Sequence, residues 1–236
     1  MKTLALVTAR GGSKGFPGKN MALLGRRPLV GWSHQLLSAF RFKHPETRLF
    51  LSTDSEEIAS AWPAEDRPAR LRPAHLATDT ASSMDVVAHE LAEAEVEGFE
   101  AECLLLVQPT SPLLALEDLE AAWSVLNQGA PCVVGMVPID HPLHWTWSRN
   151  GDGVLQPLLD PGEATRRQDF PQGFRPVGFY LARPEFLLKH KGFIVTGITR
   201  SIVVPPERGI DIDRPSDLWM AEGLLAQGGS LMGASR

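Results

Sequence analysis

The stretch that decides the fold reads Thr8-Ala9-Arg10-Gly11-Gly12-Ser13-Lys14-Gly15-Phe16-Pro17-Gly18-Lys19-Asn20. It follows the apolar run Thr3-Leu4-Ala5-Leu6-Val7, which favours a β-strand. Its four glycines allow the backbone to approach a ligand closely and to turn amide N–H groups inward. The same short loop carries three cations, which an anion would hold together: Arg10, Lys14 and Lys19. The pattern predicts a phosphate-binding loop after the first strand.

Two common phosphate loops do not fit this stretch. The Walker A loop requires a glycine where Ser13 stands and a hydroxyl residue where Asn20 stands. The Gly-x-Gly-x-x-Gly pattern of dinucleotide-binding proteins is not found in the stretch either. A solvated glycine-rich turn with ordinary surface cations is the alternative, and the clustering of the three cations favours phosphate binding.

The composition is that of an ordinary globular protein. The 236 residues are 43% hydrophobic and 22% charged, which is enough chain to bury a full core. A net charge of −5 argues against general binding to nucleic acid or to a membrane surface, so a cationic site must be local. No secretory signal or membrane span is recognised, and we expect a soluble, cytoplasmic protein. Cys103 and Cys132 each open an apolar run, so we expect two core residues and no disulfide.

Alternating strand and helix patterns predict an α/β fold. Four apolar runs without polar alternation are typical of buried parallel strands: Leu4–Val7, Leu49–Ser52, Cys103–Val107 and Cys132–Val137. Amphipathic helix patterns lie between them. We therefore predict one domain over residues 1–236 with a Rossmann-like, doubly wound, mostly parallel sheet. Ligands of such sheets bind at the carboxyl ends of the strands, where the first loop lies.

The pattern changes between about residues 138 and 176, where prolines interrupt it. Trp145 and Trp147 lie there, close to Val154 and Leu155. We interpret this region as an excursion of short strands and loops. Its apolar residues would suit a dimer interface, or both tryptophans could pack on the parent domain. The chain then returns through a strand, a helix, a strand and a last helix, at Gly178–Leu181, Pro184–His190, Ser201–Val204 and from Pro215-Ser216 onward.

The second strong signal is Gly209-Ile210-Asp211-Ile212-Asp213-Arg214-Pro215-Ser216-Asp217. Side chains two positions apart in an extended segment face the same way, so Asp211 and Asp213 present paired carboxylates. A divalent cation relieves their repulsion, and Mg²⁺ held by one or two carboxylates and by substrate phosphates fits a triphosphate site. A helix capped by Ser216 would explain Ser216 and Asp217, but not the acidic pair.

Three further segments carry polar residues that could bind a ligand. Arg72 lies in a polar loop whose hydroxyl residues could cap the next helix. Gln108-Pro109-Thr110-Ser111 ends the most apolar strand at the expected ligand edge, although Thr110 and Ser111 could also be helix caps. A second set of anion-binding groups, for a substrate carboxylate or the triphosphate, is offered by Arg166, Arg167 and Arg175.

Taken together and in this order, the motifs resemble the acylneuraminate cytidylyltransferases, which make CMP-sialic acids. The matching segments are residues 9–20, Arg72 to Thr80, Gln108 to Leu113, Arg167-Gln168 through Phe174-Arg175-Pro176, and Asp211-Ile212-Asp213. The family fold is a Rossmann-like domain with an excursion that swaps into a dimer partner. The resemblance therefore implies a homodimer that uses residues 138–176.

The resemblance also implies a role for each matched residue. The phosphates of CTP would be held by Arg10, Lys14, Lys19 and Asn20. The cytidine would be contacted by Arg72, Ala81 and Ser83. The sugar and the anionic substrates would be met by Gln108, Arg167 and Arg175. A Mg²⁺ or Mn²⁺ ion would be bound by Asp211 and Asp213. The catalytic charge would be supplied by Arg10, Lys14, Lys19 and the acidic pair.

The implied reaction transfers CMP from CTP to the anomeric hydroxyl of a nine-carbon 2-keto sugar acid and releases pyrophosphate. No side chain is an obvious general base, and the candidates are Asp213 and a metal-bound water. His144 and Val177 stand where these enzymes carry Lys and Asn, so the two departures fall on the sugar side. Legionaminate, pseudaminate or a deaminated sialic acid could be the acceptor. The eight-carbon acid Kdo, and a module that senses CTP without turnover, are the alternatives.

Overall fold

The computed structural model describes residues 1–12, 15–68, 70–78, 80–160 and 166–227. Within these residues the strands are β1 (Thr3–Thr8), β2 (Leu23–Leu24), β3 (Arg27–Pro28), β4 (Thr47–Ser52), β5 (Cys103–Val107), β6 (Cys132–Pro138), β7 (Trp147–Arg149), β8 (Leu155–Pro157), β9 (Phe174–Ala182) and β10 (Arg200–Val203). The α-helices are α1 (Leu29–Lys43), α2 (Glu56–Ser60), α3 (Ser83–Val96), α4 (Leu116–Asn127), α5 (Pro184–His190) and α6 (Pro215–Gln227).

The central sheet has six strands in the order β10-β6-β9-β5-β1-β4. Strand β1 runs parallel to both β4 and β5, and β10 runs parallel to β6. Strand β9 is inserted antiparallel between β5 and β6. The predicted mostly parallel α/β sheet is therefore confirmed, and the four apolar runs are four of its strands.

The core lies on both faces of this sheet. Ala5 and Val7 of β1 pack toward α1 and α4, whereas Leu4 and Leu6 pack toward α3 and α5. Successive side chains of a strand point to opposite faces, so a strand covered on both faces has no polar alternation. Each fully buried aliphatic side chain contributes about 1.5–3 kcal/mol, which makes β1 a principal source of stability.

Both cysteines are buried and free, as the sequence predicts. Cys103 and Cys132 begin β5 and β6, and β9 lies between these two strands. Burial raises the pKa of each thiol to about 12. The thiols therefore remain protonated at neutral pH and act as small core residues.

The excursion contains a small antiparallel hairpin formed by β7 and β8. Trp145 is 42% exposed and Trp147 is 49% exposed, so the alternative that both tryptophans pack on the parent domain is wrong for the single chain. The excursion ends earlier than the strand pattern indicates. Strand β9 begins at Phe174 rather than near Gly178, because residues 174–176 already pair with the end of β6.

Two alternatives that assigned residues to helix caps are wrong. Helix α6 begins at Pro215, so Ser216 lies inside the helix and is not its cap. Proline is favoured at the first helical position, and Asp217 Oδ2 accepts the N–H groups of Asp213 and Arg214 at 2.9 and 2.8 Å. Helix α4 is preceded by Ala115, so Thr110 and Ser111 are not caps. The described residues include no helix that is both long and apolar enough to cross a bilayer.

A buried ion pair ties helix α1 to the segment after α2. The Asp66 side chain is only 7% exposed, and it accepts hydrogen bonds from Arg41 at 2.5 and 3.0 Å. His34 Nε2 lies 2.8 Å from Asp66 Oδ2. Burial raises the pKa of Asp66, but the bonds from Arg41 and His34 outweigh it and hold the pKa below its usual value.

We expect Asp66→Asn to lower the free energy of unfolding by about 2 kcal/mol at neutral pH, because charged hydrogen bonds are lost. The folded-state pKa is depressed, so the contribution is complete above the usual carboxyl pKa and disappears as the pH falls through the folded value. Urea unfolding from about pH 7 down to about pH 3 should therefore show the two proteins converging in acid. Glu65→Gln, a change at the exposed neighbour, is the control and should stay within about 0.5 kcal/mol of the wild type. A pH-independent difference would contradict this account.

Candidate functional site

A pocket of about 750 Å³ opens at the carboxyl ends of β1 and β5. Because these two parallel strands are neighbours, the loops that follow them meet at one edge of the sheet. Its wall is formed by Thr8, Arg10, Gly15, Phe16, Lys19, Asn20, Gln108, Pro109, Thr110, Asp213, Arg214 and Pro215. Five of the residues selected from the sequence therefore lie together: Arg10, Lys19, Asn20, Gln108 and Asp213.

A second, smaller pocket of about 290 Å³ adjoins the first. Thr8 and Arg10 line both pockets, so Arg10 lies at their junction. The smaller pocket contains the three residues that the resemblance assigns to cytidine: Arg72, Ala81 and Ser83. Ser82 lines this pocket near α3. It also caps this helix, because its Oγ accepts the Asp85 N–H at 3.1 Å.

Lys19 and Asn20 stand on a short 3₁₀ turn that Gly18 introduces with a positive φ of 69°. Lys19 Nζ lies 2.8 Å from Asp213 Oδ1, which joins the first loop to the acidic segment. Asn20 is 7% exposed and donates to the Arg10 carbonyl at 2.9 Å. Asn20 thus stabilises the shape of the loop as well as lining the pocket. Lys14, selected from the sequence, lies outside the described residues.

Asp54 is a residue of the site that the sequence reasoning missed. It follows β4, and its Oδ1 accepts the Gly11 N–H at 2.8 Å. A side chain at position 11 would lie 3.1 Å from Ser55 Cβ, so the loop can lie this close to Asp54 only with a glycine or with a local shift. The signal was available, because Asp54 is the first polar acid after a predicted parallel strand.

Arg72 is a buried cation, with 8% of its surface exposed. Its Nε donates to Ser52 Oγ at 2.8 Å, and one terminal nitrogen donates to the Ser52 carbonyl at 2.5 Å. Burial lowers the pKa of Arg72, and the charges of Asp54 and Glu90 oppose this effect. The guanidinium is therefore held in one orientation at the wall of the smaller pocket.

The acidic pair is split between the pocket and the protein interior. Asp213 is exposed and lines the pocket, whereas Oδ1 of Asp211 is buried and has no hydrogen-bond partner among the described residues. A buried carboxylate oxygen without a donor is a group that a cation can satisfy. No set of three or more His, Cys, Asp or Glu side chains in the described residues is arranged for a metal ion. Asp211 lines neither pocket, contrary to the prediction that both carboxylates face the same way. Asp213 is therefore the member of the pair that could hold a cation together with a bound phosphate or water, and the unpartnered Oδ1 of Asp211 is a second candidate ligand.

Gln108 is placed by an irregularity in β9. The pairing of β6 with β9 shifts between Val134 and Met136, and at this point the Gly178 carbonyl accepts the Gln108 N–H at 2.7 Å. A Cβ at position 178 would lie 2.2 Å from Ser111 Cβ, and φ is +28°, so this position requires glycine.

Val177 and His144, the two positions at which the sequence departs from the family pattern, lie away from the pocket in the single chain. Val177 is 2% exposed and packs in the core, so it does not line the pocket. His144 stacks on Phe170 of the excursion at 4.8 Å between ring centroids.

Two of the selected arginines also lie outside both pockets. Arg167 belongs to a short 3₁₀ turn and lines a cleft of about 20 Å³ within the excursion. Arg175 donates to the Gly209 carbonyl at 2.8 Å and thereby supports the segment that leads to the acidic pair. The single chain does not bring Arg167 to the pocket, because the excursion leaves the sheet before this residue.

Comparison with known proteins identifies the class. The model of a family described as cytidylyltransferase matches residues 4–150, more than half of the chain. The chain therefore belongs to the cytidylyltransferase family, which confirms the predicted nucleotidyltransferase class.

Two curated relatives extend over nearly the whole chain. N-acylneuraminate cytidylyltransferase A of Danio rerio is 32% identical over 92% of this chain and 49% of its own length. CMP-N,N'-diacetyllegionaminic acid synthase of Legionella pneumophila is 29% identical over 95% of this chain and 97% of its own length. The chain thus spans about half the length of the fish relative and nearly all of the bacterial one.

Solved structures confirm the fold. CMP:2-keto-3-deoxy-manno-octonic acid synthetase complexed with CTP has a TM-score of 0.67 at 19% identity and covers 96% of this chain and 99% of its own. 4-Diphosphocytidyl-2C-methyl-D-erythritol synthase from Anaerococcus prevotii has a TM-score of 0.61 at 13% identity, with coverage of 95% and 98%. At these identities the similarity establishes the architecture alone.

Proposed function

We propose that this chain transfers CMP from CTP to the anomeric hydroxyl of a nine-carbon 2-keto sugar acid and releases pyrophosphate. The observation that carries the proposal is the pocket at the ends of β1 and β5, where Arg10, Lys19 and Asp213 form one wall. It adjoins a smaller pocket of a size and polarity suited to a nucleoside. Family membership and the two curated relatives support the same reaction class.

The two pockets suggest how CTP would lie. The triphosphate would occupy the larger pocket, where Lys19 and Arg10 offer positive charge, with Lys14 assigned the same role from the sequence. The cytidine would lie in the smaller pocket beside Arg72, Ala81 and Ser83. The α-phosphate would then lie near Arg10, at the junction of the two pockets.

The chemistry requires little covalent participation by the protein. The anomeric oxygen of the sugar acid forms a bond to the α-phosphorus, the bond from that phosphorus to the bridging oxygen breaks, and pyrophosphate leaves with the bond's electrons. Positioning and charge neutralisation supply most of the acceleration in such reactions. Lys19 and Arg10 would neutralise the charge that develops on the leaving pyrophosphate. Gln108 would orient the sugar, and Asp213 is the carboxylate in the pocket that could accept the hydroxyl proton.

We also propose that Asp211 and Asp213 bind Mg²⁺ or Mn²⁺ together with the phosphates of CTP. The buried Oδ1 of Asp211 supports this assignment, because it has no hydrogen-bond donor in the described part of the chain. The bound ion would withdraw charge from the phosphate oxygens. Lys19 already pairs with Asp213, so the loop and the acidic segment would be prepared to hold the same phosphates.

Legionaminate and N-acetylneuraminate are the acceptors that the relatives favour. The bacterial relative named for diacetyllegionaminic acid aligns along almost its whole length. Kdo activation rests on a structural similarity at 19% identity and therefore on the fold alone. A cytoplasmic location belongs to the same proposal, since CTP is a cytoplasmic metabolite.

The experiment that tests the function measures pyrophosphate release from CTP and Mg²⁺. N-acetylneuraminate, legionaminate, pseudaminate and Kdo are offered separately, and CTP binding is measured by calorimetry in parallel. We expect release with at least one nine-carbon acid and little or none with Kdo. CTP binding without release in any of the four assays would instead indicate a module that senses CTP.

Lys19→Ala should lower the turnover number about a hundredfold, since one well-placed charged donor is typically worth about 3 kcal/mol of barrier. The ion pair with Asp213 is also lost, so the apparent affinity for CTP should fall. Steady-state kinetics at saturating sugar acid gives both numbers. Lys43→Ala, at the end of α1 and away from both pockets, serves as the control. A near-normal rate for Lys19→Ala would remove Lys19 from the site.

We further propose that the chain forms a homodimer through the excursion at residues 138–176. Its described residues include large apolar side chains that are exposed in the single chain: Leu143, Trp145, Trp147, Val154, Leu155, Leu158, Leu159 and Phe174. A concentration of exposed large apolar residues in one segment is typical of a protein interface. In such a dimer the excursion could bring Arg167 to the pocket of the partner.

Sedimentation analysis should give twice the mass of one chain. Trp147→Ser should weaken the dimer at least about tenfold, because buried tryptophans are frequent hot spots of interfaces. Trp219→Ser is a matched control, since Trp219 is an exposed tryptophan of α6, outside the excursion. Equal effects of the two changes, or a monomeric wild type, would contradict the proposed interface.

A further inference from the structure

We propose that Arg208 and Asp118 are positioning residues that hold the segment carrying the acidic pair, Asp211 and Asp213, beside the pocket. The proposal rests on the function proposed above, where the acidic pair receives its role. Neither Arg208 nor Asp118 lines the two pockets, so both act through the segment that they connect.

Arg208 forms an ion pair with the first turn of α4. One terminal nitrogen donates to Asp118 Oδ1 at 2.8 Å, and the other contacts Glu117. The side chain of Asp118 is 4% exposed and that of Arg208 is 16% exposed. A buried carboxylate of this kind needs its partner, because an uncompensated charge in the interior is costly. The guanidinium is therefore fixed in place by two adjacent carboxylates.

Asp118 connects this ion pair to the loop that carries Gln108. Its second oxygen, Oδ2, accepts the Ala115 N–H at 2.9 Å. Ala115 is the last residue before α4 and ends the loop that begins after β5. One carboxylate thus joins the start of α4, the Gln108 loop and the loop that contains Arg208.

A second contact ties the same two segments together beyond Asp211. The Ile212 N–H donates to the Thr110 carbonyl at 2.8 Å, and Ile212 itself is fully buried. The chain from Arg208 to Ile212 is therefore attached at both ends to the chain from Thr110 to Asp118. Asp211 lies between the two attachments.

The backbone between the attachments is also restrained. The Gly209 carbonyl accepts from Arg175 at 2.8 Å. A Cβ at position 209 would lie 2.7 Å from Val137, so the segment lies close against β6. These contacts restrain the segment that carries the unpartnered Oδ1 of Asp211. We therefore expect the affinity of Asp211 and Asp213 for a cation to depend on these contacts. Groups that orient metal ligands typically change metal affinity 10- to 100-fold when they are mutated.

The test uses Arg208→Met in the full chain. At fixed CTP and saturating sugar acid, the Mg²⁺ concentration for half-maximal pyrophosphate release should rise about tenfold. The KM for CTP should change less than about twofold, since Arg208 does not line the nucleotide pockets. A second readout needs no turnover: the increase in Tm that Mg²⁺ gives to the CTP-bound protein without sugar acid should shrink in the variant.

Three variants separate positioning from general destabilisation. Arg41→Met breaks the other buried Arg–Asp pair, with Asp66, and should lower Tm without moving the Mg²⁺ dependence. Arg208→Lys keeps the charge but not the fork that reaches both carboxylates, so its Mg²⁺ constant should be intermediate. Asp118→Asn keeps an oxygen for the Ala115 N–H and removes the charge, and it should resemble Arg208→Met.

Two outcomes would overturn the proposal. One is an unchanged Mg²⁺ dependence in Arg208→Met, and the other is an equal change in Arg41→Met. Failure of the proposed function is a separate result. If the wild type releases no pyrophosphate with any sugar acid, the Mg²⁺-dependent Tm of the CTP-bound protein still compares the variants.

Discussion

The site depends on the parallel pairing of β1 with β5 on one side and with β4 on the other. Parallel strands end at the same edge, so this pairing brings together the loop from Ala9, the turn at Asp54 and the loop from Gln108. The apolar residues of β1 are buried on both faces of the sheet and hold this strand at its centre. Core burial therefore sets the distance between groups that are far apart in sequence, and the hydrogen bonds of Asp54 and Asn20 then adjust the first loop.

Strand β9 makes contacts with the site that a purely parallel sheet would lack. It runs antiparallel between β5 and β6, and its irregular register presents the Gly178 carbonyl to the Gln108 N–H. The same strand carries Arg175, which supports Gly209. The excursion that precedes β9 is thus anchored at a strand that contacts both the Gln108 loop and the acidic segment.

Features that depend on neighbouring residues in the sequence were predictable, whereas features that depend on tertiary contacts were not. The strands were predictable because Leu4 to Val7 and Cys103 to Val107 are buried one after another, a local property of the chain. Gln108 was predictable because it follows such a strand, and Asp213 because two carboxylates two positions apart stand out in the sequence. The role of Asp54 depends on which strand lies beside β1, and the position of Arg167 depends on the path of the excursion. Both depend on tertiary structure: the sequence marks Asp54 as a polar acid after a predicted strand, but it does not show that Asp54 contacts the first loop. The start of α6 was predictable because Pro215 marks it, whereas its cap was not, because the Asp217 carboxylate stands in for a serine cap.

The contact between Lys19 and Asp213 joins residues that are 194 positions apart. These two parts of the site can therefore meet only after nearly the whole chain has folded. The packing of the sheet, rather than contacts within the site, compensates the entropy that is lost when this long loop closes. The two ends of the chain also pack together, because Leu24 and Leu29 lie in one apolar cluster with Ile212 and Ala221. During synthesis all the strands of the central sheet emerge before residue 213, so the larger pocket is completed after them. A chain that ended before Gly209 would retain most of the hydrophobic core but would lack both the acidic pair and α6.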